Sequence, residues 1–284
     1  MRFFESEIPV LKPAQARFHV VPVPYEKTVS YGHGTALGPG AIIAASSQLE
    51  RFDGISDPGA EGIYTWPAID CSGAPEKVID EIAFLIKRIL ELKKIPVVLG
   101  GEHTVTWGVI KGYLDAGIRD FGVVQIDAHA DLRDAYEGDK YSHASVMRRV
   151  VEAGVPLVQL GNRAYCEEER DARKKHGVLA FDALELVPKG RNSIRLPKKF
   201  PSKVFFTVDV DGIDPSVLPA TGTPVPGGLG WYQTLGLFES VAKQRRIIGF
   251  DVMEFAPIKD FHAFDFAAAV LTYKLMGIVQ RTTR

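Results

Sequence analysis

The chain has 284 residues, 46% of them hydrophobic, which is enough for the core of one large α/β domain or two small ones. Its 34 basic and 35 acidic side chains give a net charge of −1, so we expect no binding to nucleic acid or to an anionic membrane. The first seven residues carry three charges, unlike a signal peptide, and the two cysteines form no CxxC pair, so a cytoplasmic protein is predicted. The longest apolar stretch, 266–279, contains Lys274 and is predicted to be too short to span a bilayer.

Strand-like and helix-like segments alternate along the chain. The strands are mostly continuous apolar runs, typical of parallel strands buried on both faces, and are predicted at 18–23, 62–66, 95–99, 121–127, 156–160, 177–181, 203–209 and 246–252. Helices are predicted at 39–49, 75–94, 103–116, 143–153, 167–176, 231–243 and 265–281. This order predicts a single domain over 1–284, a three-layer α/β/α sandwich around a mostly parallel eight-stranded sheet. The basic, proline-containing stretch 187–202 is predicted to be a surface excursion.

Metal-ligand side chains follow two of these strands at every second position. Asp127, His129 and Asp131 come directly after one apolar run, and Asp209 and Asp211 repeat the period after another. Residues at i, i+2 and i+4 of a strand point to one face, so each motif directs its side chains into one space.

A third apolar run, 95–99, leads into Gly100, Gly101, Glu102 and His103. Active sites of parallel sheets form beyond the carboxyl ends of the strands, where all three sets fall. Four carboxylates and two imidazoles are unfavourable to gather unless cations neutralise them, and six oxygen and nitrogen ligands suit two divalent ions. Mn²⁺ fits best, while Co²⁺, Ni²⁺ and Zn²⁺ are also compatible, and a hydroxide held between two such ions is a nucleophile at neutral pH.

Several motifs resemble those of the ureohydrolases, the family of arginase, agmatinase and formiminoglutamase, and are most similar to agmatinase. They are GGEHT at 100–104, DAHADL at 127–132, TVDVDGIDP at 207–215 and PATGTP at 219–224. The resemblance implies an arginase-like fold, two Mn²⁺ per chain, and a homotrimer or homohexamer. One ion would be held by His103, Asp127, Asp131 and Asp209, and the other by Asp127, His129, Asp209 and Asp211.

The same resemblance implies hydrolysis of a guanidinium to urea and a primary amine. Asp131 would relay a proton from the bridging hydroxide to the departing amine, as a general base. His143 matches the histidine to which the family's proton shuttling is assigned, and Glu254 matches the glutamate that orients the guanidinium.

The loop after Asp131 distinguishes between substrates. It lacks the Asn and Ser/Thr-rich pattern typical of arginases, and Cys166 stands where they carry an acidic residue, three positions after Arg163. We therefore expect agmatine as substrate, giving urea and putrescine for polyamine biosynthesis. The acidic loop residues that could attract its ammonium are Glu137, Asp139 and Glu167.

Arg133 leaves an alternative open. We predict that it pairs with Asp134 or Glu137 away from the site, but if it binds a carboxylate, the substrate would be 4-guanidinobutyrate. Arginase activity, a histone-deacetylase-like amidohydrolase with one zinc, and an inactive homologue are further alternatives. The Arg-Lys-Lys run at 173–175 is predicted to be a solvated helix face rather than a nucleic-acid patch.

Overall fold

The computed structural model describes residues 1–282 and contains one eight-stranded sheet in which every strand pair is parallel. In chain order the strands are β1 (Phe18–Val23), β2 (Ile63–Thr65), β3 (Ile95–Gly100), β4 (Phe121–Ile126), β5 (Leu157–Leu160), β6 (Leu179–Phe181), β7 (Lys203–Asp209) and β8 (Arg246–Met253). All eight predicted strands are present, and most of their residues are buried, which explains their continuous apolar character.

Within the described residues, eight α-helices cover the two faces of the sheet: α1 (Gly38–Ser46), α2 (Pro75–Glu91), α3 (Val105–Asp115), α4 (Val146–Glu152), α5 (Glu167–His176), α6 (Ala183–Leu186), α7 (Trp231–Ala242) and α8 (Ala263–Thr282). Buried side chains of α1, α6, α7 and α8 form one apolar core with the sheet, and those of α2 to α5 form a second. The two cores make the α/β/α sandwich that the sequence predicted, and the apolar stripe of α2 is buried as expected.

The strand order is β2-β1-β3-β8-β7-β4-β5-β6. The last strand of the chain therefore lies between β3 and β7, in the middle of the sheet. The chain enters on one side of this strand and continues on the other, which produces the switch in strand order where parallel sheets bind ligands.

Two expectations need correction. The stretch 187–202 contains Ile194 and Leu196, which are buried in the core, so it is more than a surface excursion. The C-terminal helix α8 has 20 residues and is long and apolar enough to cross a membrane, but more than half of its most apolar window is buried within the fold. Packing against α1 and α7, rather than short length, explains its composition.

Candidate metal centre and substrate pocket

The six predicted metal ligands lie together at the carboxyl ends of three strands. His103 follows β3, the Asp127–Asp131 motif follows β4, and Asp209 and Asp211 lie at the end of β7. Glu254 directly follows β8, the strand between β3 and β7. The sheet thus places side chains that are distant in sequence around a single point.

The first group of ligands is centred on His103. Its Nδ1 atom lies 3.1 Å from Oδ2 of Asp127, 3.0 Å from Oδ2 of Asp131 and 3.3 Å from Oδ2 of Asp209. All four residues are at most 5% exposed. Three buried carboxylates that face one imidazole nitrogen form a site that would bind a cation.

The second group is centred on His129. Its Nδ1 atom lies 2.9 Å from Oδ2 of Asp211 and 3.7 Å from Oδ1 of Asp127. Candidate ligand atoms of Asp127, His129 and Asp211 all lie within 4.8 Å of one another, as do those of His103, Asp127 and Asp209. Asp127 belongs to both groups, which is the geometry of a bridging carboxylate, while the bridging role of Asp209 stays a prediction.

The state of His103 indicates that a metal ion fits here. Its Nδ1 is buried and finds no hydrogen-bond partner of acceptable geometry within residues 1–282. Its Nε2 atom is held 2.8 Å from the hydroxyl of Thr207, so the ring is fixed with its free nitrogen towards the three carboxylates. A ring oriented through its second nitrogen is the usual arrangement of a metal-binding histidine.

The electrostatics of the carboxylates support the same conclusion. Burial, and then the charge of Asp127, raises the pKa of Asp131 to about 7. Burial, followed by the charges of Asp211 and Asp127, raises the pKa of Asp209 well above its ordinary range. Divalent cations would stabilise these crowded groups as anions and remove the repulsion between them.

Two candidate catalytic carboxylates have left-handed backbones. The φ angle is +53° at Asp131 and +61° at Glu254, a region that few residues other than glycine adopt. Each such residue carries local strain of order 1–3 kcal/mol, and strain of this kind concentrates at functional sites.

His143 and Glu254 both face the ligands. Burial, and then the neighbouring His103 and His129, lower the pKa of His143 to about 4, so its ring is neutral at pH 7. Its Nδ1 lies 3.1 Å from the Thr28 hydroxyl. Glu254 accepts a hydrogen bond from the amide of His103 at 2.7 Å, and burial, followed by the charge of Glu102, raises its pKa well above the ordinary range.

The site consists of a narrow chamber that opens into a wider pocket. The chamber is lined by five of the six predicted ligands together with His143 and Glu254. The wider pocket has a volume of about 400 Å³ and shares His129, Asp131 and His143 with the chamber. Its outer walls include Arg133, Tyr136, Tyr165, Cys166 and Glu169. A small planar head group with an extended tail would match this shape.

The pocket walls differ from expectation. Glu137, Asp139 and Glu167 are not among the described residues that line the pocket, so any attraction they exert on a substrate ammonium would act from outside it. Arg133 does line it, with its guanidinium 5.7 Å from the centre of the Tyr136 ring. Its predicted ion pair is not formed within the described chain, and Asp134 lies instead 3.3 Å from Arg149.

The sequence also held a signal for residues behind the ligands that were not singled out. Gln125 precedes Asp127 by two positions and Thr207 precedes Asp209 by two, so each shares the face of its metal ligand and is polar within an apolar strand. Gln125 donates to Oδ2 of Asp127 at 2.6 Å, and Thr207 fixes His103. The aromatic walls Tyr136 and Tyr165 carried no comparable signal.

An α/β sheet with two acidic and imidazole clusters that share an aspartate defines a metallohydrolase with a binuclear site. The model of the arginase family matches residues 16–277, and the chain belongs to that family, whose members are binuclear metal enzymes. It is therefore a hydrolase of the C–N bonds of linear amidines, as the sequence predicted.

Within this family, the chain is similar to enzymes named for agmatine-type substrates. The chain is 41% identical over 286 residues to the N(1)-aminopropylagmatine ureohydrolase of Synechocystis sp., covering 97% of this chain and 93% of the relative. It is 35% identical to the enzyme of the same name from Thermus thermophilus, covering 93% and 90%. The crystal structure of agmatine ureohydrolase of Thermoplasma volcanium is similar with a TM-score of 0.86 and 29% identity, covering 99% of this chain and 95% of that one.

Proposed function

We propose that this protein is a Mn²⁺-dependent ureohydrolase that releases urea from an agmatine-type substrate, a guanidinium joined by an alkyl chain to one or more amines. The observation that carries the proposal is the chamber in which the predicted metal ligands, His143 and Glu254 meet, with an elongated pocket leading away from it. The names of its relatives support the substrate class.

Two bound divalent ions would supply a hydroxide nucleophile and would stabilise the negative charge that develops when this nucleophile attacks the guanidinium carbon. The carboxylate of Glu254 faces the chamber from the end of β8, where it can accept hydrogen bonds from a guanidinium and orient it. Asp131 lies at the boundary between chamber and pocket, where it can take a proton and return it to the departing nitrogen. His143 lies at the same boundary with a neutral ring, as a proton carrier between the site and solvent requires.

The tail of the substrate would lie in the wider pocket. Glu169 lines this pocket, but its two carboxylate oxygens accept from the backbone amides of Leu132 and Cys166. A terminal ammonium would therefore meet the rings of Tyr136 and Tyr165 and the hydrogen-bonded carboxylate of Glu169, whose charge attracts a cation. No α-carboxylate is needed for these contacts.

The length of the pocket favours N(1)-aminopropylagmatine as a substrate alongside agmatine. Its volume of about 400 Å³ continues beyond the metal ligands to Tyr165 and Cys166, which leaves room for an aminopropyl extension. The first products would be urea and an aminopropyl-substituted putrescine, or putrescine itself from agmatine. We expect the reaction in the cytoplasm, and a trimeric or hexameric assembly stays a prediction.

A panel of guanidines assayed for urea with Mn²⁺ tests the proposal. We expect kcat/KM for agmatine or N(1)-aminopropylagmatine to exceed that for arginine by about a hundredfold or more, because Cys166 stands in the pocket wall where arginases carry an acidic residue, so the α-amine of arginine would lack that partner. Arginine turning over equally well would contradict the substrate class. Preference for 4-guanidinobutyrate would assign Arg133 to substrate binding, and urea release from none of the compounds would refute the function.

A further inference from the structure

A buried guanidinium lies behind the loop that carries Asp127, His129 and Asp131. It belongs to Arg173 of α5, which is 7% exposed although it stands in a run of basic residues. Its Nε donates to Oε1 of Gln159 at 2.8 Å, and its Nη2 donates to Oδ1 of Asn162 at 2.8 Å. Both amides follow or lie in β5, the strand next to β4.

The two amides reach from Arg173 to the backbone of the metal-ligand loop. Asn162 Nδ2 donates to the carbonyl of Asp127 at 3.1 Å and also to the carbonyl of His129. Gln159 Nε2 donates to the carbonyl of Ala130 at 2.7 Å. Three backbone carbonyls of the loop, those of Asp127, His129 and Ala130, are therefore held through two side chains that themselves bind one guanidinium.

A branch of the same network ends on a metal ligand. Gln159 Nε2 also donates to Oε1 of Gln125 at 2.7 Å, and Gln125 Nε2 donates to Oδ2 of Asp127 at 2.6 Å. All of these groups are buried. The chain of hydrogen bonds thus runs from Arg173 through two glutamines to the carboxylate shared by both ligand groups.

The direction of this chain depends on the arginine. An amide can face its neighbour with either its oxygen or its nitrogen, whereas a guanidinium offers only donors. Arg173 therefore requires Gln159 and Asn162 to present their oxygens to it and their NH₂ groups to the loop. Gln125 is in turn oriented so that its amide nitrogen donates to Asp127, which favours the anionic form of this predicted metal ligand.

The opposite side of the guanidinium supports the substrate pocket. The centre of the Tyr165 ring lies 4.1 Å from the guanidinium carbon of Arg173. Asp182 accepts from Arg173 Nη1 at 3.1 Å and from the Tyr165 hydroxyl at 2.6 Å. Tyr165 forms part of the pocket wall, so Arg173 contacts both this wall and the two amides that hold the metal-ligand loop.

We propose that Arg173 is a positioning residue that sets the orientation of the metal-ligand loop and fixes the Tyr165 wall of the substrate pocket. The predicted solvated helix face at 173–175 is therefore wrong for its first residue. Metal binding carries the first half of the proposal, and only the effect on substrate rests on the proposed function.

The test compares Arg173→Met with Arg170→Met, the same substitution at a half-exposed position of the same helix. In metal-free protein we expect faster hydrogen exchange over residues 127–133 in Arg173→Met alone. In a manganese titration we expect affinity to fall roughly tenfold, towards the lower end of the loss for groups that orient metal ligands. Unchanged exchange and affinity in Arg173→Met would overturn the proposal.

Arg173→Lys keeps the test informative where Arg173→Met does not fold. Lysine retains the buried charge but lacks the planar fork that binds two amides at once. A metal affinity below that of wild type, but by less than the tenfold loss expected for Arg173→Met, supports the proposal, whereas wild-type affinity and exchange refute it.

Tyr165→Leu tests the pocket wall and should raise KM for the amine substrate with metal affinity unchanged. An absence of urea release in the wild-type protein would reject the proposed function, while the metal titration would stay valid.

Discussion

The metal centre and the wall of the substrate pocket are built in different ways. The ligands come from short motifs, each directly after a buried strand, and all but His129 are at most 5% exposed. The pocket wall is assembled from single side chains of several loops, including Ser30, Tyr136, Tyr165 and Thr223, and these are half-buried or exposed. Reaction chemistry is thus encoded locally in the sequence, whereas substrate choice depends on how distant loops meet.

This difference predicts how substitutions should divide. Changes at the strand ends should remove metal or turnover for every substrate, because all substrates share the guanidinium. Changes in the wall should alter the ranking of substrates while metal binding and the chemical step persist.

The largest effect is expected from Asp209→Ala. This variant should bind neither ion firmly and should lose essentially all activity, because Asp209 is predicted to bridge and would then contribute charge to both sites. His103→Ala should weaken mainly one ion, since imidazole contributes one bond and no charge. Metal content and manganese titration measure the difference, and equal losses in the two variants would contradict this ranking.

Wild-type crystals grown with manganese should show two ions about 3.5 Å apart, and a single ion would contradict a binuclear site.

His143→Ala should give the next largest effect. Loss of a proton carrier lowers kcat by about 10²-fold when general acid–base catalysis is removed. Metal content should stay at the wild-type level, because His143 is not a predicted ligand. Steady-state kinetics with metal analysis of the same sample test this, and a wild-type kcat would show that the residue is structural.

Arg133→Ala should change substrate ranking only. Removing a cation from the pocket wall should lower kcat/KM for 4-guanidinobutyrate relative to agmatine by roughly tenfold, the effect of about 1.4 kcal/mol of charge interaction. Arg119→Ala, at an exposed position before β4, is the matched control. A uniform fall for both substrates would mean that the wall and the metal centre are not separable as described.

His19 lies outside both regions and should affect stability without affecting activity at neutral pH. Its ring is fully buried, with Nε2 2.9 Å from the carbonyl of Pro13 and Nδ1 accepting from the Trp66 indole, and burial lowers its pKa to about 4. The fold therefore favours the neutral ring, and its contribution is complete above about pH 6.5 and lost as pH falls towards 4.

Urea unfolding of metal-free protein at pH 7 and pH 4 measures this contribution. Between pH 7 and pH 4 the free energy of unfolding of the wild type should fall by up to about 3 kcal/mol more than that of His19→Gln. Equal losses would place the acid sensitivity elsewhere. Unchanged kcat/KM of His19→Gln at pH 7 is expected, since His19 contacts neither the chamber nor the pocket.

Much of the molecule followed from local patterns, and the exceptions share a physical reason. Apolar runs predicted all eight strands because parallel strands are buried on both faces. The period of two placed the ligands, because strand ends impose it. The short helix α6 and the buried side chains Ile194 and Leu196 were missed, because few residues in that stretch repeat with any period.

The supports of the site were the least predictable. Arg173 stands between Ala172 and two lysines in a helix with acidic residues in its first turn and basic ones in its last, so its sequence surroundings resemble a solvated surface. Its burial depends on Gln159, Asn162 and Asp182, which are brought to it only by the folded chain. The ion pair predicted for Arg133 failed for a similar reason, since Arg148 and Arg149 of α4 lie closer to Asp134.

The position of β8 has a consequence for biosynthesis. As the chain leaves the ribosome, residues up to 100 can form the β2-β1-β3 side and residues 121–209 the opposite side, but strand pairing joins the two only through Arg246–Met253. His103 lies on the first side and the other five ligands on the second, and Glu254 follows the joining strand itself. A nascent chain therefore cannot assemble the complete predicted set of ligands until Arg246–Met253 has been translated, so the sixth ligand, His103, joins the other five late in synthesis.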